Sequence, residues 1–177
     1  LNAIRFALDG SGQVMTERGT LDRSGCPIVL WEGIQRQRCT GYELVSDLDF
    51  DTNDDGQMNE LDAYWNDGEG WEPVGSSSSN AFTAAFNGNG HEIRNLYIHR
   101  RGSTGFFGHI IGTYYKQAKI TQVAFTGTMA SVTGSSNGGV LASSIRYAEV
   151  SRIFVTGFTS SPWTSGGLAA VVIRSTL

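Results

Sequence analysis

The feature that most constrains this chain is an apolar pattern that recurs at short intervals in its second half. Segments 93–98, 120–125 and 150–155 each carry apolar residues at relative positions 1, 4 and 6, and they begin 27 and then 30 residues apart. Each segment is followed by a stretch of glycine and apolar residues. A unit this short cannot bury its apolar face alone, so the pattern indicates that neighbouring units stack on one another.

The repeat predicts an all-β fold, a right-handed parallel β-helix (solenoid) in which each repeat forms one coil. The 177 residues include 23 glycines and only 3 prolines, which suits strands joined by tight turns. We expect one domain. In this domain residues 1–41 form an N-terminal cap with a short helix at 1–8 and an irregular segment, residues 42–91 form the first coil, and residues 92–177 form three repeats. The domain is expected to be a fragment of a longer chain or a mature product.

Charge is distributed unevenly along the chain. The net charge is −4, yet residues 43–72 hold 11 of the 17 acidic residues, and no Lys or Arg occurs between Arg38 and Arg94. A strongly acidic middle argues against nucleic acid as a partner there and favours a cation. The sequence contains no apolar run of about 18 residues, so we expect no membrane span.

A loop within this acidic region has the spacing of a calcium-binding loop. Residues 51–62 follow the pattern D-x-[DN]-x-[DN]-G-x5-[DE], with a glycine at position 6, where a sharp turn favours a residue without Cβ. Calcium takes six to eight oxygen ligands, and alternate residues of a tight loop can direct their oxygens to one point. The predicted ligands are Asp51, Asn53, Asp55, Gln57 through its carbonyl, Asn59 and Asp62.

The loop departs from a paired EF-hand in two respects. Asp62 replaces the usual glutamate at the last position, and the entering segment 42–50 alternates apolar and polar residues as a strand does. Only residues 61–65 could begin an exiting helix. We therefore expect a lone structural calcium loop between β elements, with Met58 as its apolar anchor. A solvated acidic turn would explain the acids, although it would not explain a glycine in register.

We expect the two cysteines, Cys26 and Cys39, to form a disulfide, and two free thiols are the alternative. A disulfide would pin the irregular segment and would indicate an oxidising compartment, whereas two free thiols would carry no such implication. A zinc site is disfavoured, because two cysteines without nearby histidines provide too few ligands.

Other residues with chemical potential are weaker candidates. The histidines, His91, His99 and His109, lie on different repeat segments. Arg94 and Arg152 occupy similar repeat positions and could belong to a basic ladder on one face with Arg100, Arg101 and Arg146, but a solvated face is the favoured interpretation. Aromatic residues could stack on sugar rings or pack structurally. These are Trp31, Tyr64, Trp65, Trp71, Tyr114, Tyr115 and Trp163.

The ordered set of motifs resembles the GLUG-motif domains of bacterial surface proteins and adhesins. Gly105-Phe-Phe-Gly108 matches their Gly-Leu-any-Gly motif with Phe for Leu, and segments 139–142 and 167–170 match it less fully. Segments 1–5, 41–50, 70–75 and 82–96 resemble the usual entry to such domains. The resemblance covers nearly the whole chain. It implies a parallel β-helix, an extracellular or cell-surface location, an adhesive or structural role and no catalytic residues.

Together these observations favour a calcium-stabilised β-helical module for adhesion or spacing. The alternatives are a carbohydrate-active β-helix enzyme, a lyase or hydrolase, and a small carbohydrate-binding protein. Carbohydrate or a surface protein is the expected partner. No capping sequence follows the apolar segment 167–174, so we expect either that the natural chain continues or that this last coil self-associates.

Overall fold

Parallel strands dominate the computed structural model, which describes residues 28–31, 34–37, 41–127 and 131–177. The predicted capping helix at 1–8 and both cysteines lie outside these residues. Segment 9–41 was expected to be irregular, but it contains an antiparallel pair, β1 (Ile28–Trp31) with β2 (Ile34–Gln37). A run of Ile, Val, Leu and Trp in β1 has high strand propensity, which accounts for the pair.

The remaining strands fall into four successive rows along the chain. Row 1 contains β3 (Gly41–Glu43) and β4 (Leu48–Asp49), and it continues through residues 50–82, where Gly70, Val74 and Phe82 form isolated bridges to row 2. Row 2 contains β5 (Ala85–Asn87), β6 (Glu92–Arg94), β7 (Tyr97–Arg100) and β8 (Phe107–Ile111). Row 3 contains β9 (Ala118–Thr126), β10 (Ser131–Gly134), β11 (Asn137–Gly139) and β12 (Ala142–Arg146). Row 4 contains β13 (Ala148–Val155), β14 (Phe158–Ser160), β15 (Thr164–Gly166) and β16 (Ala169–Ile173).

Strands of one row pair in parallel with strands of the next row. Sheet A joins β3, β5, β9, β6 and β4, with β13 on β9. Sheet B joins β7, β10 and β14, sheet C joins β11 and β15, and sheet D joins β8, β12 and β16. The all-β class with parallel sheets is confirmed. In the described residues the helical segments are two short 3-10 turns, Asn66–Gly68 and Ser78–Asn80.

The predicted strand at 42–50 is interrupted. Strand β3 ends at Glu43 and β4 begins at Leu48, with a bend between them. Leu44 and Phe50 are buried, but residues 45–47 are all exposed, so the alternation breaks where the chain bends. The expected helix start at 61–65 is also absent, and turns followed by the 3-10 segment occupy this stretch.

The register of sheet A supports one repeat alignment and corrects the other. Val150 pairs with Ile120, and Val155 pairs with Phe125, as the 30-residue spacing predicts. Segment 93–98 does not align with 120–125, because Ile93 pairs with Phe125 and Phe86 pairs with Ile120. Seven positions separate Phe86 from Ile93, against five between Ile120 and Phe125, and a turn around Gly88 takes up the difference.

Aromatic side chains from three rows fill the interior. Phe106 is fully buried, and its ring lies 5.1 Å from Trp71, 5.1 Å from Phe107 and 5.6 Å from Phe125. The Trp71 indole also donates a buried hydrogen bond of 3.0 Å to the Phe106 carbonyl. Because Trp71 belongs to row 1 and Phe125 to row 3, Phe106 connects the rows through the core.

Removing this ring should destabilise the whole stack. Phe106→Ala is expected to lower the free energy of unfolding by about 3–5 kcal/mol, through lost burial and the cavity left behind. Urea denaturation measures the change. The matched control is Phe154→Ala, whose ring is 59% exposed and whose loss should cost no more than about 0.5 kcal/mol. Equal losses for the two variants would contradict this account of the core.

Glycine is required where rows approach closely. A Cβ on Gly139 would lie 2.4 Å from the Ala142 carbonyl oxygen and 2.6 Å from the Ala169 Cα, both backbone atoms. Gly167 lies in the same region of the fold, but a Cβ there would meet nothing within 4 Å. Only the first of these positions therefore excludes a side chain.

This difference predicts opposite outcomes for two alanine substitutions. Gly139→Ala should destabilise the protein by about 1–3 kcal/mol or more, because the backbone of row 4 would have to move. Gly167→Ala should be neutral or slightly stabilising, because alanine restricts the unfolded chain. Thermal and urea unfolding of both variants test this, and a Gly139→Ala protein as stable as the parent would show that the rows are not packed this closely.

Candidate calcium loop

The acidic loop begins directly after a residue of the core. Phe50 is fully buried, and it packs edge-on against Tyr64 and Trp71 with ring centroids 5.6 Å apart in each case. The Asp49 carboxylate accepts a hydrogen bond from the Asp51 backbone N–H at 3.1 Å and another from the Asn95 amide at 2.8 Å. The first predicted ligand is therefore held in place by rows 1 and 2.

Asp51 organises the first half of the loop. It is only 8% exposed, and its two carboxylate oxygens accept hydrogen bonds from the N–H groups of Asp55 at 3.2 Å and Gly56 at 2.9 Å. Gly56 has φ of +79°, and a Cβ on it would meet no atom within 4 Å. The glycine is therefore needed for its backbone conformation and not for space, as the loop pattern predicts.

Asp55 lies at the centre of a group of amides. Its carboxylate accepts hydrogen bonds from the Gln57 N–H at 2.8 Å and from the side-chain amides of Asn53 and Asn59, both at 3.0 Å. These hydrogen bonds, with the one from Asn59 the largest cause, lower the pKa of Asp55 below its usual value. The carboxylate is therefore held in its charged form.

Asp62 has a role that the sequence pattern did not reveal. It is 4% exposed, and its oxygens accept hydrogen bonds from the N–H of Thr52 at 2.7 Å and the N–H of Asn59 at 3.0 Å. Thr52 directly follows the first ligand position, so the Asp62 carboxylate closes the loop by accepting a hydrogen bond from the backbone at the loop's start. Thr52 contributes to the same closure, because its Oγ1 accepts a hydrogen bond from the Ala63 N–H at 2.9 Å.

The remaining loop residues behave largely as predicted. Met58 is partly buried against the hydrophobic core and serves as an apolar anchor. Asp54 and Glu60, which fall between ligand positions, are exposed. Leu61 is 71% exposed and contributes no comparable anchor.

The carboxylate and amide oxygens of this loop are ligands that suit a hard cation such as calcium. The carboxylates of Asp51 and Asp62 both accept hydrogen bonds from backbone N–H groups of the loop. The Asn53 side-chain amide donates to the Asp55 carboxylate. Across the described ranges, no three His, Cys, Asp or Glu side chains are already grouped as a metal site. The Asn amides that now donate to Asp55 carry oxygens on the same groups, so a side-chain rotation would direct further oxygen ligands inward.

The three histidines are not brought together. His91 lies 3.0 Å from the Asp47 carboxylate, and His99 is exposed on sheet B. His109 is half-buried in sheet D, 3.3 Å from Ser144 Oγ, and burial lowers its pKa, with a smaller contribution from Arg146.

The proposed basic ladder does not form. Arg94 bonds to Asp47 at 2.6 Å and to Glu92 at 3.0 Å. In the parallel register, Arg94 of β6 pairs with Thr126 of β9, whereas Arg152 of β13 lies opposite Gln122 of β9. The equivalence of Arg94 and Arg152 is therefore wrong, because it rested on the incorrect alignment of segment 93–98.

Aromatic residues divide into buried and exposed groups. Trp71 is part of the core, while Trp65 stacks on Tyr97 with ring centroids 5.5 Å apart. Tyr114 and Tyr115 are 80% and 95% exposed, and Trp163 is 81% exposed. The side chain of Trp31 lies outside the described part of the chain.

Comparison with known proteins gives one informative similarity. A segment of 98 residues, 55% of this chain, is 33% identical to halomucin from Haloquadratum walsbyi. The match spans about 1% of the length of halomucin. No family model matches the chain, and no solved structure matches it. In the described residues, no helix is long and apolar enough to cross a membrane.

The hydrogen bonds around Asp55 predict a dependence of stability on pH. The pKa values of Asp47, Asp55 and Glu92 are all lowered from ordinary values of 3.8, 3.8 and 4.5. As the pH falls, these carboxylates therefore take up protons at a higher pH in the unfolded chain than in the folded protein. Their contribution to the free energy of unfolding is complete above the ordinary pKa values and is lost as the pH falls through the lowered pKa values. In acid denaturation at constant salt, the free energy of unfolding of Asp55→Asn should fall less steeply with falling pH than that of the parent protein. The control Asp54→Asn, at an exposed position, should show the same slope as the parent. A steeper slope for Asp55→Asn would contradict the assignment.

Proposed function

We propose that this chain is a calcium-stabilised β-helical module of a large secreted or cell-surface protein, with a structural or adhesive role. The observation that carries the proposal is the row-by-row parallel pairing. It places the strands of each row in register against those of the next row, and the module's sides are then free to act as a spacer or a binding surface. The predicted disulfide between Cys26 and Cys39 would be consistent with this location.

The order of strands supports a parallel β-helix. Rows 3 and 4 each contribute one strand to sheets A, B, C and D in the same sequence. The partner of each strand is its counterpart in the adjacent row, as in Val150 with Ile120 and Ala169 with Ala142. Crossover connections between parallel strands of one sheet are right-handed in about 98% of cases, so we assign a right-handed coil.

The extracellular location is supported by two similarities. Mucins are extracellular proteins, and the chain shares 33% identity over 98 residues with a protein named halomucin. Since that match covers about 1% of halomucin, the similarity concerns one segment of a very long protein. The resemblance to GLUG-motif surface domains implies the same location.

Calcium would supply what the loop lacks, a positive charge among its acids. Asp51, Asn53 and Asp55 would hold the ion through their side chains, with the Gln57 carbonyl, Asn59 and Asp62 completing the set. The loop is linked to the core through Phe50 and to row 2 through Asn95. An ion bound here would therefore stabilise the first row and the core behind it.

Thermal unfolding in calcium and in EDTA tests this proposal, together with calorimetric titration. A ligand that binds only the folded state adds about 2.7 kcal/mol of stability at 100 times its Kd. We expect one site per chain, a higher melting temperature in calcium, and at least a tenfold loss of affinity in Asp51→Asn and Asp55→Asn.

The matched control is Asp54→Asn, which removes the same charge from the same loop at an exposed position outside the ligand pattern. Asp54 has φ of +63°, a conformation that asparagine tolerates. An equal loss of affinity in all three variants would indicate a diffuse electrostatic effect. Absence of binding heat and of any melting shift would exclude the calcium site.

A further inference from the structure

A groove of about 410 Å³ crosses the outward face of sheet B. His99 of β7 and Thr133 of β10 lie side by side in the parallel register and form part of its lining. The turn at 67–69 bounds one side, and Pro162, which follows β14, bounds another. Residues from all four rows and their connections therefore contribute to one continuous depression.

Aromatic residues adjoin residues of the groove lining. Tyr97 shares the outward face of β7 with His99, because residues two apart in a strand point to the same side. Trp65 stacks on Tyr97 with an interplanar angle of 15°, and its indole packs against Gly68 in the lining. Trp163 directly follows Pro162 of the lining in the chain, and its side chain is 81% exposed.

The exposed Trp163 is presented by a fixed turn. Ser161 Oγ donates a hydrogen bond to the Thr164 carbonyl at 2.6 Å, and it lies 2.9 Å from Ser165 Oγ. These contacts close the turn on both sides of the tryptophan. A large apolar ring held in solvent by its own turn has more area available for contact with a ligand than a buried one.

Hydrogen-bond donors and acceptors both line the groove. The Arg100 guanidinium bonds to the Glu69 carboxylate at 2.9 Å and donates to the Gly70 carbonyl at 3.2 Å. These contacts hold a guanidinium donor and a carboxylate acceptor side by side. The exposed side chains of Asp67, His99 and Arg101 form no hydrogen bond or ion pair with the described residues. The groove therefore offers unused donors and acceptors alongside aromatic faces.

We propose that this groove binds a glycan. Sugar hydroxyls both donate and accept hydrogen bonds, so they match a lining that mixes carboxylate, imidazole and guanidinium groups. The C–H face of a pyranose ring is apolar and packs on aromatic rings such as Trp163 and the Trp65–Tyr97 stack. This inference specifies the partner class for the adhesive role above, and it rests on that proposed function.

The test is titration of the calcium-loaded protein with neutral and uronate-containing oligosaccharides, followed by NMR chemical shifts and calorimetry. Saturable binding is expected, with shifts clustered at His99 and Thr133. Trp163→Ala should weaken binding at least tenfold. Arg101→Ala distinguishes the two glycan types, because it should weaken binding of uronates and leave neutral chains within twofold.

The control for the aromatic effect is the double variant Tyr114→Ala/Tyr115→Ala, which removes two rings that are as exposed as Trp163 from a different loop. It should bind glycans as the parent does. Equal losses in this variant and in Trp163→Ala would overturn the groove assignment, as would no saturable binding to any oligosaccharide. Calcium stabilisation measured on the same samples separates failure of the groove from failure of the module.

Discussion

Burial of apolar side chains between rows is the interaction on which the rest of this structure depends. A single row presents an apolar face that it cannot cover, so its stability comes from the next row. Phe106 shows this most directly, because its ring contacts Trp71 of the first row and Phe125 of the third. The parallel hydrogen bonds then set the register in which these side chains meet. Glycines such as Gly139 are required because that register brings backbones close together.

The outer surface of the same stack is available for other chemistry. Residues that alternate with the core residues point outward, and the register aligns them in columns across the rows. One column forms ion pairs, as between Lys119 and Glu149 at 2.9 Å. Another carries His99 and Thr133, which line the groove on sheet B. The fold thus separates a structural interior from a surface that can carry binding groups.

The acidic loop connects the buried interior of the stack with its outer surface. Asp51 follows a core residue, Phe50, and its carboxylate gathers the backbone of the following turn. Asp62 closes the other end by bonding Thr52 and Asn59. The loop is therefore ordered by its own acids even before a cation is considered, and a cation would add to an existing arrangement. Such preorganisation reduces the entropy lost when a ligand binds.

Much of the local chemistry of the loop was predictable from sequence. The acidic residues, the glycine at position 56 and the anchor at Met58 follow a spacing that is local in the chain, so the pattern identified them. The role of Asp62 as a backbone acceptor was not predictable, because it depends on where Thr52 lies ten residues earlier in the folded loop.

The sequence by itself determined the β class, the stacking of short units and the alignment of 120–125 with 150–155. Only the tertiary structure decided the register of the second row, where Phe86 and Ile93 pair with Ile120 and Phe125. It also decided that Gln122 and Arg152 adopt positive φ within β9 and β13, although neither residue type favours that conformation. The physical reason is that apolar periodicity is a local property. Strand pairing and these backbone conformations depend instead on contacts with residues about 30 positions away.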